Sequence, residues 1–146
     1  MIREAGREDL PALLNLYLSL HETTVPEDSA SLRQIWETIL QDENRHLLVY
    51  EKDGELVSSC DCVIIPNLTR GVRPYALIEN VVTRTDCRGK GFASQCLAHA
   101  RALAAAAGCY KVMLMTGSRQ ESTLRFYRKA GFDSEEKTAF VLRLDR

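Results

Sequence analysis

Residues 83–95, TRTDCRGKGFASQ, set two glycines and three cations between an apolar run and an alanine-rich run. If the first run is a strand and the second a helix, the turn between them presents the unpaired N–H groups of a helix N-terminus. The positive end of the helix dipole lies at the same place, so the turn can hold phosphate oxygens. Gly89 and Gly91 permit left-handed dihedrals and a close approach to the backbone, and Arg88 and Lys90 add positive charge. The same composition also suits a bare strand-to-helix connection, and the residues alone leave both readings open. Two familiar phosphate loops are absent. There is no G-x-x-x-x-G-K-[ST], and a dinucleotide fingerprint would need a third glycine where Ser94 stands.

The thiols and imidazoles offer less. Cys60 and Cys62 form a C-x-C pair that shares one face of a strand. Cys87, Cys96 and Cys109 complete an odd set of five, which argues against a disulfide framework. His21, His46 and His99 show no ligand spacing, so no metal is expected and the thiols read as small buried hydrophobes.

These groups need elements to position them. MIREAG reads as a short first strand. A helix follows from Glu8 or Asp9 to about His21, with Leu10, Leu13, Leu14, Tyr17, Leu18 and Leu20 on its apolar face. Ser29 or Ser31 caps a second helix, in which Leu32, Ile35, Trp36, Ile39 and Leu40 recur at helical spacing. HLLVYEK and ELVSSCDCVII flank Asp53-Gly54 as a hairpin. PNLTRGVRP is a connecting loop, and YALIENVVT a third, central strand. FASQCLAHARALAAAAG is an alanine-rich helix closed by Gly108. YKVMLMT is a buried strand, residues 122–130 a short helix closed by Gly131, and FDSEEKTAFVLRLD one or two final strands. The order predicts an α/β (α+β) domain with a mixed sheet, not a doubly wound dinucleotide fold.

The whole chain of 146 residues fits one domain. A net charge of −1 and the lack of a basic stripe argue against nucleic-acid binding. No apolar run approaches the ~18 residues of a membrane span. The charged N-terminus is unlike a signal peptide, so a cytoplasmic location is expected.

RGKGFA, residues 88–93, resembles the Arg/Gln-x-x-Gly-x-Gly/Ala signature of the GNAT N-acetyltransferase superfamily. IENVVT before it is similar to that family's central strand, and STLRFYRKAGF, residues 122–132, to its late helix. GCYKVMLMTGSRQESTLRFYRKAGF is further similar to the branch that acetylates glucosamine 6-phosphate. The resemblance implies a twisted mixed sheet of about six to seven strands flanked by about four helices. It implies acetyl transfer from acetyl-CoA, as co-substrate, to a primary amine of a small molecule through a ternary complex.

The resemblance also implies roles. Arg88, Gly89, Lys90, Gly91, Phe92 and Ala93 would wrap the pyrophosphate, and Val81, Val82 and Thr83 would pair with pantetheine. An N–H near Val81 would stabilise the oxyanion. Glu79 stands where several members have a general base, with Asp61 in reserve, and Tyr127 aligns with the tyrosine that protonates the leaving thiolate. The chain departs from the pattern at Cys87, where an aromatic residue is common, and at Gln120, where an Asn cofactor contact is common. Arg70 and Arg73, in the hairpin that borders the acceptor site in this fold, would bind a phosphate or carboxylate of the acceptor. The alternatives are a protein or peptide N-acetyltransferase and a non-catalytic acyl-CoA-binding module. AFVLRL is compatible with a homodimer strand.

Overall fold

β-branched and aromatic runs on either side of Asp53-Gly54 form the central hairpin of the computed structural model, which describes residues 1–145. β2 (Arg45–Lys52) and β3 (Glu55–Ile65) pair antiparallel, with Lys52 opposite Glu55. Asp53 and Gly54 take φ of 52° and 79°, the left-handed pair that a two-residue hairpin requires. β1 (Ile2–Glu4) adds to β2 and β4 (Tyr75–Thr83) to β3, both antiparallel. β5 (Val112–Leu114) lies parallel to β4, so the strand order follows the chain order from β1 to β5.

The helices are α1 (Leu10–Leu16), α2 (Ala30–Gln41), α3 (Thr69–Val72), α4 (Phe92–Ala106) and α5 (Glu121–Lys129). Ser29 caps α2, its Oγ accepting from the Leu32 N–H at 3.1 Å. No helix among the described residues is long and apolar enough to cross a membrane. The chain divides into two units, one ending at Leu114 and one beginning at Met115. The first holds the whole sheet and α1 to α4; the second holds α5.

Within the first unit the sheet is covered on both faces. Leu47, Val49 and Val82 pack with Leu13 and Leu16 of α1 and Trp36 of α2. The alternate face meets α4, where the Cys60 thiol reaches the Cys96 carbonyl at 3.7 Å. Double coverage explains why burial runs on without alternation through Leu47, Leu48 and Val49 of β2 and from Leu56 to Cys62 of β3, where even Ser58, Ser59 and Asp61 are buried.

The mixed α+β architecture is the expected one, with different counts. Five strands among the described residues stand where six to seven were expected. Among the described residues FDSEEKTAFVLRLD forms no strand, and Phe140, Val141, Leu142 and Leu144 are 92%, 70%, 85% and 92% exposed. A period-two apolar pattern lets a segment become a strand, but a strand also needs a neighbouring edge to bond, and none is registered against this segment. YKVMLMT yields only three paired residues, half-buried rather than buried. The loop PNLTRGVRP contains α3, a turn whose central residues have positive φ. The first helix is shorter than expected, with 3-10 turns at residues 7–9 and 17–19 tightening its ends.

Candidate active site

The turn of residues 88–91 is built by sequence features on both sides of it. Cys87 and Phe92 are both buried and pack with Val57 in a small core cluster, and the Phe92 ring meets Tyr50 at 4.6 Å. Cys87 thus anchors this end of the turn with a thiol in place of a ring. Between these anchors Gly89 and Gly91 have φ of 78° and 86°. No heavy atom lies within 4 Å of where a Cβ would stand on either, so left-handed backbone, not crowding, is what demands glycine. Gly91 is the N-cap of α4 and no side chain caps it, so the first N–H groups of α4 face outward. Arg88 is used structurally, donating from Nη2 to the Ser19 carbonyl at 2.7 Å. Lys90 is exposed and forms no ion pair among the described residues.

β4 enters the turn with an irregularity that periodicity did not reveal. Asp61 pairs with Glu79 and Ser59 with Val82, so β4 has one residue more than β3 between the two pairs. Asn80, at φ 52°, is the point of the bulge, and neither it nor Val81 has a register partner on β3. The extra residue puts Glu79 and Val82 on the same face although their spacing is odd. Asparagine tolerates the left-handed region better than most residues, and that is the signal in the sequence for it. On the other side, the ladder to β5 covers only Ala76 to Ile78. Among the described residues the edge of β4 from Glu79 to Thr83 has no ladder partner there. Ser58, not singled out in the sequence, secures this end, its Oγ donating to the Val82 carbonyl at 2.8 Å and lying 3.0 Å from Thr83 Oγ1.

Glu79 is exposed, and among the described residues its side chain forms no hydrogen bond or ion pair. Asp61, opposite, is 2% exposed and engaged by Arg45, whose Nε lies 3.1 and 3.0 Å from its two oxygens while Nη2 also donates to it. Asp61 holds the Arg45 guanidinium above its already high ordinary value. Burial, followed by the charge of Asp61, pushes the Tyr17 phenol up to about 12. The pair therefore neutralises one of two carboxylates that face each other across neighbouring strands.

Arg70 and Arg73 lie in the β3–β4 hairpin, their guanidinium carbons 5.8 and 5.5 Å from the Tyr110 ring centre. In the second unit, Gln120 is the N-cap residue of α5, its carbonyl accepting from the Thr123 and Leu124 N–H groups at 3.1 Å each. Tyr127 is half-buried, its ring edge-to-face with Phe126 at 5.1 Å and Phe132 at 6.4 Å. Among the described residues no cluster of His, Cys, Asp or Glu could hold a metal ion. Open hollows among the described residues of the first unit include two against its helices. One of about 530 Å³ has α2 residues and Arg45 in its wall, and one of about 250 Å³ is lined by Leu14, Tyr17, Glu22, Thr24 and Pro26.

Residues 10–132 match the Acetyltransferase (GNAT) family. The chain belongs to that family. Over 96 residues, 66% of this chain and 61% of the relative, it is 34% identical to glucosamine 6-phosphate N-acetyltransferase of Trypanosoma brucei brucei. It is 25% identical, over 98% of its length and 65% of the relative's, to an uncharacterized N-acetyltransferase of Methanocaldococcus jannaschii. The chain thus spans somewhat under two thirds of the length of these relatives. A solved protein of Agrobacterium tumefaciens, described as a candidate acetyltransferase, is 38% identical with a TM-score of 0.92, covering 98% of this chain and 99% of that one. The GNAT match spans the turn, β4 and α5, so the motifs at 88–93 and 122–132 belong to one family pattern.

Proposed function

We propose that this GNAT chain is an acetyl-CoA-dependent N-acetyltransferase acting on a primary amine of a small molecule. The observation that carries the reading is two open features in consecutive elements. The left-handed Gly89/Gly91 turn opens onto the uncapped N-terminus of α4, and β4 just before it has a free edge on the β5 side. The Trypanosoma relative, named for a small amino sugar, supports the acceptor class. The family match crosses the boundary at Leu114, which supports treating residues 1–146 as one catalytic domain.

When bound, acetyl-CoA supplies an activated acetyl thioester. The amides of residues 88–93 and the Lys90 ammonium hold its pyrophosphate. Val81, Val82 and Thr83 bond the pantetheine amides as a strand edge bonds an added strand, and Gln120 adds a contact. The Val81 N–H, off the β3 register, donates to the acetyl oxygen as negative charge grows there. An alkylamine, like lysine, has an ordinary pKa near 10.4, so its nitrogen must lose a proton before attack. Glu79 takes that proton, directly or through one water. The nitrogen then bonds to the acetyl carbon as the C–S bond breaks, and the Tyr127 phenol gives its proton to the departing sulfur. Asp61 is assigned no proton, because Arg45 occupies its carboxylate.

The test is thiol release from acetyl-CoA against a panel of amino sugars, amino acids and polyamines, with peptides as a separate arm. Turnover of a small amine is expected. Turnover of peptides alone would replace the acceptor class, and binding of acetyl-CoA with no turnover on either arm would overturn the enzymatic reading.

A further inference from the structure

The β3–β4 hairpin carries more conformational strain than a hairpin needs. Arg70, Gly71 and Val72 have φ of 56°, 75° and 59° in succession. Glycine adopts this region freely, but for an arginine and a β-branched valine it is costly, and such strain concentrates at functional sites. Asn67 holds the turn, Nδ2 donating to the Thr69 carbonyl at 3.1 Å, Thr69 Oγ1 at 2.9 Å and the Arg73 carbonyl at 3.0 Å. Arg73 Nε donates to the Arg70 carbonyl at 2.6 Å.

What the strain achieves is a convergence of cations. Both guanidiniums lie over Tyr110, as given above. The Lys111 ammonium lies 5.3 Å from the same ring and 5.2 Å from Tyr75, and the two rings meet edge-to-face at 6.3 Å. Among the described residues none of the three cations forms an ion pair, whereas Arg3, Arg45 and Arg84 each lie on a carboxylate. Three like charges around one ring repel, and the ring faces offset only part of that. An anion among them removes the repulsion and receives charge-assisted hydrogen bonds. Alternation puts Tyr75 on the face of β4 that Glu79 also uses, about 13 Å away at ~3.3 Å per residue.

We propose that Arg70, Arg73 and Lys111, held on Tyr75 and Tyr110, bind a phosphate or carboxylate at the far end of an elongated acceptor whose amine reaches Glu79. This rests on the acetyltransferase reading above. A compact α-amino acid is too short; an amine and an anion on the order of 10 Å apart fit the strand spacing.

The first test needs no turnover. The full chain is titrated with inorganic phosphate while the ¹⁵N Nε–Hε signals of its arginines are followed. Saturable shifts at Arg70 and Arg73 are expected. Arg73→Gln would also remove a hydrogen bond within the turn, so Arg70→Gln and Lys111→Gln are the deciding variants, each weakening phosphate binding with the fold intact. The second test uses ω-amino acids and ω-aminoalkyl phosphates of increasing length, with hydroxyl analogues as controls. KM should fall with length, and Arg70→Gln should raise KM for the anionic acceptor about tenfold while leaving the hydroxyl analogue and acetyl-CoA unchanged. Absence of phosphate shifts in the native chain would overturn the anion site. Phosphate shifts with equal KM for anionic and hydroxyl acceptors would overturn its assignment to the acceptor. Failure to acetylate any amine would sink the enzymatic reading, with the phosphate titration still reporting on the anion site.

Discussion

Asp61 and Glu79 are the same chemistry in two environments. Asp61 is sealed and clasped by Arg45; Glu79 is exposed and has no ion-pair partner among the described residues. That contrast decides which carboxylate we assign as the base, and burial of this kind cannot be read from residue types. Arg45→Met should leave a buried uncompensated carboxylate and lower stability by about 3 kcal/mol, seen as a lower urea midpoint. Asp61→Asn in that background should restore part of the loss. Tyr127 tests the opposite end of the reaction. Tyr127→Phe keeps the ring between Phe126 and Phe132 and removes only the hydroxyl. We expect kcat to drop by roughly 10²-fold or more with KM for acetyl-CoA little changed; an unaltered kcat would remove the acid role.

At the scale of elements, the parts that sequence made legible were those with strong local signals. Ser29 capped α2, Asp53-Gly54 made the hairpin, and two glycines marked the turn. The parts that escaped depend on the neighbouring chain. The Asn80 bulge is defined only against β3, the left-handed turn at 70–72 only by the ring and the Asn67 bonds that hold it, and β5 is short because its ladder stops at Leu114. The glycine turn makes a sharp prediction. Gly91→Ala forces φ of 86° on a residue with a Cβ, costing about 1–2 kcal/mol, although there is room for the added carbon. The chain is expected to relax that residue and re-aim the first N–H groups of α4. Calorimetry should show weaker binding of acetyl-CoA beyond the modest fall in Tm.

Across the whole molecule, the five thiols form no disulfide, and Cys60, Cys62, Cys87 and Cys96 are buried. Burial pushes Cys62 and Cys96 up to about 11 from an ordinary 9.0, and Tyr17 up to about 12 from 10.0. In each case the fold favours the protonated form. Their contribution is therefore fully present below about pH 9 and is lost as pH climbs through 11 and 12. Urea midpoints measured from pH 7 to 10.5 should decline on the alkaline side, and Tyr17→Phe should flatten the upper part of the decline. A colourless-to-yellow disulfide reagent at neutral pH should find Cys109 first and the other four only after unfolding. The sheet has a further property. Because its strand order repeats the chain order, each strand meets a partner that has already left the ribosome. Growth is vectorial: a nascent chain that has emerged as far as Thr83 already contains all four antiparallel strands. β5 arrives after α4 and closes only three residues of β4, so the edge we assign to the cofactor is the seam that synthesis never sews shut.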